Sequence, residues 1–565
     1  METALLITIA GIALVVAVTA FAPRVGVAAP LLLVLLGIAI SFIPAIPPIE
    51  VEPEWILGGL LPPLLFSAAV NIPSMEFRRD LGLISAFSVV LVVVSALVVG
   101  LLLSWLIPGL PFALGVAVGA IVSPTDAVAT SIVKKSGVST RLTTVLEGES
   151  LLNDATALVL LRSAIAAVGT AVSIWQVGLD FLYAVAVALG VGWLVGRLTS
   201  EVMARLKQTS SVVALSLIVP FAAHLPTEHL GGSGLVAAVT AGLVIGGRSP
   251  RVLGPESRLA WVAAWKTVEL ILESAIFLLM GLELFALVED VRHAHDSLWV
   301  ALGLGAVAVT AVVAVRTGFV ALSLWLLARR ERRASANRER LELLQERLDQ
   351  FGDIAPAPRV NRMRTMLNRR LADIDYLAAE RFGKREGVML VWAGMRGAVT
   401  LAAAQTLPRA TEHRSLLVLI AFVVAAGTLV VQGATLSRLA TRLELTGQAG
   451  TDPAQQLALM GDLNRIALAR LEDAGLTRAD GTPYPEETVA AVRKILSKLT
   501  DRKPPNEHAA SHHGDLITLR LAVLDIQREA LLELRDQGSY PSGLLDDMLT
   551  QLDADQLGLQ LRQPD

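Results

Sequence analysis

The sequence predicts an all-α polytopic membrane protein of about thirteen transmembrane helices, followed by an α-helical polar tail. Three observations predict it. The 565 residues are 54% hydrophobic and only 18% charged, where soluble proteins carry roughly a quarter charged residues. The apolar excess is concentrated in residues 1–328 and 387–440, whereas 329–386 and 445–565 are charged. Within these parts, apolar runs recur at about the 20-residue length that crosses a bilayer as a helix. A mean hydropathy of +0.60 agrees with this division.

The composition also excludes chemistry. With no cysteine, disulfides, thiolate metal sites and thiol catalysis are absent. The net charge of −3 carries no argument for nucleic acid, and no such partner is expected. No cofactor motif is present either.

The apolar runs cover 4–22, 26–43, 55–71, 82–107, 112–134, 143–166, 175–198, 211–225, 233–247, 261–287, 298–328, 387–407 and 414–438. The first has Glu2 before it and Arg24 after it, with no basic leader, and reads as a span rather than a cleaved signal. Runs 211–225 and 233–247 are short; Pro220 interrupts one and Gly231-Gly232 separates them. A re-entrant pair therefore stays open there, without changing the orientation downstream. Basic residues in the connecting loops set that orientation. After odd-numbered runs come Arg24; Arg78 and Arg79; Lys134, Lys135 and Arg141; Arg197, Arg205 and Lys207; Arg248, Arg251 and Arg258. After even-numbered runs come Glu50, Glu52, Glu54 and Glu228, with Arg292, Arg409 and Arg414 as the exceptions. The bias predicts an outside N-terminus and a cytoplasmic C-terminus in a bacterial inner (plasma) membrane.

The 329–386 segment repeats Leu341, Leu344 and Leu348 at helical spacing before Pro356 and Pro358, and reads as a charged helical cytoplasmic insert. In the tail, Thr451-Asp452-Pro453 offers a helix start. Leu516, Leu519, Val523, Ile526, Ala530 and Leu534 repeat three or four apart. The segment 445–565 reads as a regulatory domain of about four helices. His508, His512 and His513 with Asp515 read as a solvated loop, with metal binding as the alternative.

Three constellations carry chemistry. The sixth run opens with Glu147-Gly148-Glu149-Ser150-Leu151-Leu152-Asn153-Asp154. Charges at membrane depth cost a few kcal/mol or more, so they mark function by default. Helical spacing aligns Glu147, Ser150 and Asp154 on one stripe, and Glu149, Asn153 and Thr156 on its neighbour. The fifth run holds Ser123-Pro124-Thr125-Asp126. Proline removes a backbone donor, so the helix breaks near mid-depth, freeing carbonyls for a cation and amides for capping by Thr125 or Asp126; a plain kink with a capping aspartate is the simpler alternative. The twelfth run holds Gly394-Met395-Arg396-Gly397, whose glycines permit unwinding and whose arginine needs an acid or negative helix ends. Arg316 in the eleventh run is a second buried arginine, at a depth suited to Glu149 or Glu147.

With Leu61-Pro62-Pro63-Leu64-Leu65-Phe66 before these motifs and Ser233-Gly234-Leu235 to Ala241-Gly242 between them, the order resembles the NhaP and sodium/proton exchanger branch of the monovalent cation–proton antiporters (CPA1), over residues 5–440. The resemblance implies an NhaA-like antiporter fold with inverted repeats, a dimerisation domain, a mobile helical core and two crossing unwound helices, here the fifth and twelfth runs. It implies a homodimer and a substrate pair of Na⁺ (or Li⁺) and H⁺. Asp154 resembles the acid that takes either ion, and Asn153 its neighbour in electroneutral exchangers. Ser150 and the Thr125 backbone resemble further Na⁺ ligands, and Asp126 the acid organising the crossover. Glu149 resembles the partner of Arg316, and Arg396 the arginine steadying the twelfth-run break. Relatives often carry an acid where this chain has Ser67, which leaves the third run's contribution, and Na⁺ against K⁺, open. Glu147 has no assigned role.

The expected activity is antiport rather than catalysis: oxygen ligands suit hard cations, and H⁺ and Na⁺ compete for one negative site. Such exchange serves cytoplasmic pH and sodium homeostasis. A K⁺/H⁺ antiporter of the same fold is the alternative. A cation channel is the weaker rival, since neither a carbonyl-filter sequence nor an arginine ladder is present. An intramembrane protease using Asp126 and Asp154 is weaker still.

Overall fold

The computed structural model describes residues 2–25, 28–43, 52–168, 174–294, 297–351, 357–409, 411–447, 453–472, 477–478, 481–500 and 513–560. Its regular elements among these are helices; the sole β pairing is an isolated bridge between Thr477 and Pro483. The chain divides into two compact units. The first holds Met1–Val252, Ala260–Arg330 and Arg381–Ala449, and the second Leu253–Leu259, Glu331–Glu380 and Gly450–Asp565.

In chain order, α1 (Glu2–Val25) and α2 (Ala29–Ser41) precede a π-helical turn, Trp55–Leu60, that runs into α3 (Leu61–Asn71). Helix α4 (Ser74–Ser85), a second π-helical turn (Ala86–Leu91) and α5 (Val92–Leu106) form one rod. Then follow α6 (Phe112–Val122), α7 (Ala127–Lys135), α8 (Thr140–Val168), α9 (Ile174–Met203), α10 (Thr209–His229) and α11 (Gly234–Val252). Helices α12 (Pro255–Leu282), α13 (Leu284–His293), α14 (Leu298–Phe351) and α15 (Ala357–Ala379) lead to α16 (Lys384–Trp392), α17 (Ala398–Gln405) and α18 (Arg414–Arg442). The tail adds α19 (Pro453–Glu472), α20 (Glu486–Thr500), α21 (His513–Gln537) and α22 (Ser542–Gln560).

Among the described residues, eight helical stretches are long and apolar enough to cross a membrane, and three more are shorter apolar helices. The fifth apolar run is α6 and α7 with an extended break between them; the twelfth is α16 and α17 with a second break. The short runs do not form a re-entrant pair: α10 and α11 are continuous helices of 21 and 19 residues. Pro220 and Pro226 lie inside α10 without ending it.

Helix ends also correct the loop reading. Arg78 and Arg79 lie on α4, Arg248 and Arg251 on α11, Arg258 on α12, and Arg141 on α8. Arg141 is fully buried, bonded through Nε and Nη2 to Asp80 at 2.9 and 2.8 Å, with its guanidinium 4.4 Å from the Phe382 ring centre. It is an internal staple, not a solvated loop charge.

Small residues let the backbones approach, as membrane packing favours. A Cβ on Gly115 would fall 2.5 Å from the Gly100 carbonyl oxygen, and one on Gly119 would strike the Ala96 carbonyl. These contacts fasten α6, which leads to the first break, against α5. Helix α18 lies against both α6 and α7 and is buried along most of its length.

In the second unit, Ala467, Leu471, Val492, Leu496, Leu519 and Val523 form a core with Ile526 packed on it. Buried Asp553 on α22 pairs with Arg258 and Arg528. Helix α14 continues without interruption from its apolar part to Phe351, carrying Leu341, Leu344 and Leu348. Thr451, Asp452, His508, His512 and Pro356 lie outside the described residues, as do the side chains of Pro358, His513, Asp515 and Leu516.

Candidate cation site at two crossing helix breaks

The first break is made by Pro124. Helix α6 ends at Val122, and α7 restarts after Asp126, whose backbone is extended (φ −86°, ψ 143°). The Asp126 carboxylate accepts from the Val128 amide at 3.2 Å, an N-cap that satisfies one orphan donor. The second break spans the residues between Trp392 and Ala398, with Gly397 preceding α17.

The breaks touch. The Asp126 amide donates to the Met395 carbonyl at 2.9 Å. Gly397 faces Asp126 so closely that a Cβ there would overlap its carboxylate. Arg396 is buried between them. Its Nε donates to the Val122 carbonyl at 2.8 Å, and its Nη1 to Gly394. These carbonyls belong to the last residue of α6 and to the residues just after α16, so the guanidinium offsets their negative helix ends. The Arg396 amide donates to the Thr428 hydroxyl at 2.9 Å, fixing the break to α18.

Helix α8 brings the polar stripe. Glu149, 1% exposed, and Arg316, 2% exposed, form a two-pronged pair, with Nη2 to Oε2 at 2.8 Å and Nη1 on Oε1. Arg316 Nε donates to the Leu390 carbonyl at 2.8 Å. Asn153 donates to the Thr125 hydroxyl at 2.7 Å, and that hydroxyl donates onward to Glu149 at 3.4 Å. Thr125 is thereby linked to α8 through two side chains. Ser150 donates to the Glu147 carbonyl at 3.1 Å. Glu147 itself pairs with Lys134 at 3.1 Å, a role the sequence left blank.

A cavity of about 90 Å³ sits where these elements meet, lined by Thr125, Asp126, Ser150 and Asp154, together with Glu269 and Glu273 of α12. Asp154 is 6% exposed and makes no hydrogen bond or ion pair among the described residues. The sequence-derived residues thus separate into three places. Asp154, Asp126, Thr125 and Ser150 line the cavity; Asn153 braces Thr125 from behind; Glu149, Arg316 and Arg396 hold the frame. The arrangement suits a small cation: hydroxyl and carboxylate oxygens around a space of about a few waters.

Glu269 and Glu273 are the residues that sequence reasoning missed. They are two acids four apart inside an apolar run, the same signal that singled out Asp154. Ser67 on α3 reaches one of them, its hydroxyl donating to Glu269 Oε2 at 3.1 Å.

Comparison with known proteins is consistent throughout. A family profile described as "Sodium/hydrogen exchanger, transmembrane" matches residues 10–442. The low-affinity Na⁺/H⁺ antiporter NhaS1 of Synechocystis is 27% identical over 536 residues, 92% of this chain and 90% of its own. The Na⁺/H⁺ antiporter ApNhaP of Aphanothece halophytica is 28% identical over 421 residues, 74% of this chain and 70% of its own. The solved structure of the sodium–proton antiporter MjNhaP1 from Methanocaldococcus jannaschii superposes with a TM-score of 0.54 at 17% identity, over 78% of this chain and 99% of that one.

Proposed function

The chain belongs to the sodium/hydrogen exchanger family, in its NhaP-type branch, and from that premise we propose that it exchanges Na⁺ for H⁺ one for one at Asp154. The coarse activity, cation/proton antiport by a multi-pass membrane protein, follows from the family itself. The observation that carries the finer reading is the state of Asp154. It is a buried carboxylate, without a partner among the described residues, on the wall of a cavity bounded by the first helix break.

Such a charge is costly in a membrane unless something mobile neutralises it. A proton or a Na⁺ does so equally in charge, and both cannot occupy it at once. Exchange then follows from competition. Asn153 adds no charge beside it, and with Asp154 alone changing protonation one Na⁺ replaces one H⁺ and each turnover moves no net charge. The Glu149–Arg316 pair is neutral as a unit and takes no part in the exchange. Its role is to hold α8 against α14 and the α16 end while the site alternates between the two sides.

Asp126 is tied to its own helix start and to Met395, so it transmits cation occupancy to both breaks. Ser150 and the Thr125 backbone contribute further oxygens to the cation. We place the N-terminus outside, the tail in the cytoplasm, and two copies in a homodimer within the bilayer, with cytoplasmic pH and sodium homeostasis as the physiological use.

The test is pH-jump flux in proteoliposomes. Wild type exchanges Na⁺ for H⁺ at a rate unaffected by clamping the membrane potential, and Asp154→Asn shows only the leak of empty vesicles. Wild-type exchange by Asp154→Asn sinks the assignment of the site. A rate that follows the clamped potential sinks the one-for-one stoichiometry. Replacing Na⁺ by K⁺ in the same series decides the cation.

A further inference from the structure

The cavity holds more carboxylate than the exchange reaction needs. Glu269 and Glu273 lie one turn apart on α12, on the same face, and both line the cavity of Asp126 and Asp154. Neither forms a salt bridge among the described residues. Of the nearby basic groups, Lys134 is paired to Glu147, while Lys135 at the end of α7 and Lys266 on α12 are exposed and form no ion pair with either acid among the described residues. Two acids without counterions in a membrane-crossing helix are expensive, and the cost is tolerated where a mobile cation supplies the missing charge.

Glu269 is also oriented. The Ser67 hydroxyl, buried on α3, donates to its Oε2 at 3.1 Å. One carboxylate oxygen is thus anchored across a helix–helix interface, which leaves Oε1 for a ligand. Asp154, more than nine-tenths buried and without a partner among the described residues, lines the same cavity. Carboxylates of two helices therefore line one space, which is the kind of donor set that a desolvated Na⁺ or Li⁺ requires.

We propose that Glu269, positioned by Ser67, is a cation-binding residue of the antiport cavity, and that with Glu273 it forms an α12 half-site that receives the monovalent cation in the cavity shared with Asp154. The half-site sets the affinity for the cation, while Asp154 performs the exchange with H⁺. The proposal rests on the antiport reading above but assigns different residues a different quantity, the cation KM.

The experiment is Na⁺ and Li⁺ titration of ΔpH-driven exchange by the full chain in proteoliposomes, with Glu269→Gln, Glu269→Asp and Ser67→Ala beside wild type. Glu269→Gln raises the cation KM about tenfold or more. Ser67→Ala, which removes only the anchoring hydroxyl, raises it about threefold. Glu269→Asp falls between wild type and Glu269→Gln. A KM that stays at the wild-type value in both Glu269→Gln and Ser67→Ala overturns the proposal, whatever happens to the maximal rate. If Glu269→Gln fails to run as a monodisperse protein, Ser67→Ala and Glu269→Asp decide alone by the same criterion. Failure of the exchange reading is seen separately, as activity retained in Asp154→Asn.

Discussion

Asp126 and Met395 join the two interrupted helices through one backbone hydrogen bond of 2.9 Å, the Asp126 amide donating to the Met395 carbonyl. Each break leaves donors and acceptors that its own helix cannot satisfy. Crossing the breaks lets each satisfy part of the other, with Arg396 covering carbonyls on both sides. A cation site can then be built from backbone at membrane depth, which is tolerated only inside protein.

The closeness of the crossing makes Gly397 irreplaceable. Any Cβ there meets the Asp126 carboxylate, and the neighbour is a side chain already fixed by its cap. Gly397→Ala is expected to destabilise the purified protein by about 1–3 kcal/mol, the usual cost of overpacking. It also abolishes exchange, because Asp126 must leave the crossover. Gly247→Ala on α11 is the control, since a Cβ there meets nothing within 4 Å. Thermal melting and proteoliposome flux check both, and an active, wild-type-stable Gly397→Ala protein contradicts the geometry.

The Glu149–Arg316 pair predicts strong coupling. Removing one partner leaves the other charged and buried, a loss of about 3–5 kcal/mol. Glu149→Gln and Arg316→Leu are therefore each severely destabilising. The double variant is expected to be less destabilised than the sum of the singles. A double-mutant cycle from melting in detergent measures this, and additive effects would show that the two residues do not act as a pair.

The tail offers a pH test outside the membrane segments. Burial, followed by its hydrogen bond to Asp462 at 2.6 Å and that residue's charge, pushes the Tyr540 phenol up to about 12. The neutral phenol is the form that the fold favours. Its contribution to stability is complete below the unfolded value near 10 and is lost as pH rises towards 12. An ultraviolet titration of the chain's 4 tyrosines is expected to show a late-ionising component. Tyr540→Phe should remove it. A late component that survives in Tyr540→Phe assigns it to another tyrosine and defeats the prediction.

These tests depend on features of unequal visibility in the sequence. The breaks were legible because Pro124 and the Gly394 and Gly397 pair act locally: each disrupts its own helix whatever surrounds it. The Glu149–Arg316 pairing was legible because a membrane leaves a buried charge few options. The α12 acids carried the same signal as Asp154, charge inside an apolar run, but that they face the cavity is decided by tertiary packing. Arg141 was misread for the same reason. In the sequence it is one more basic residue near a helix end, whereas the fold buries it between Asp80 and Phe382. Ser67 drew notice only as a missing acid. Its contact with Glu269 joins residues 202 positions apart, beyond the reach of any local pattern.

Thr125 separates a frame contact from a ligand. Its hydroxyl accepts from Asn153 and donates to Glu149, so its proton and one of its two lone pairs are engaged within the frame. We expect a cation bound through Thr125 to use the backbone, which the break at Pro124 has freed. Thr125→Val preserves the shape and removes the hydroxyl. It leaves the Asn153 amide without its acceptor in a buried setting, at a cost of about 1–3 kcal/mol. Thr125→Ser keeps the hydroxyl and is expected to recover most of that stability. If the hydroxyl were instead the cation ligand, Thr125→Val would raise the Na⁺ KM by more than its stability loss accounts for. Melting and Na⁺ titration on the two variants therefore distinguish a brace from a ligand at one position. The brace predicts that Thr125→Val follows the stability of the α7–α8 contact, because Asn153 and Glu149 hold Thr125 where its main chain can serve the cavity.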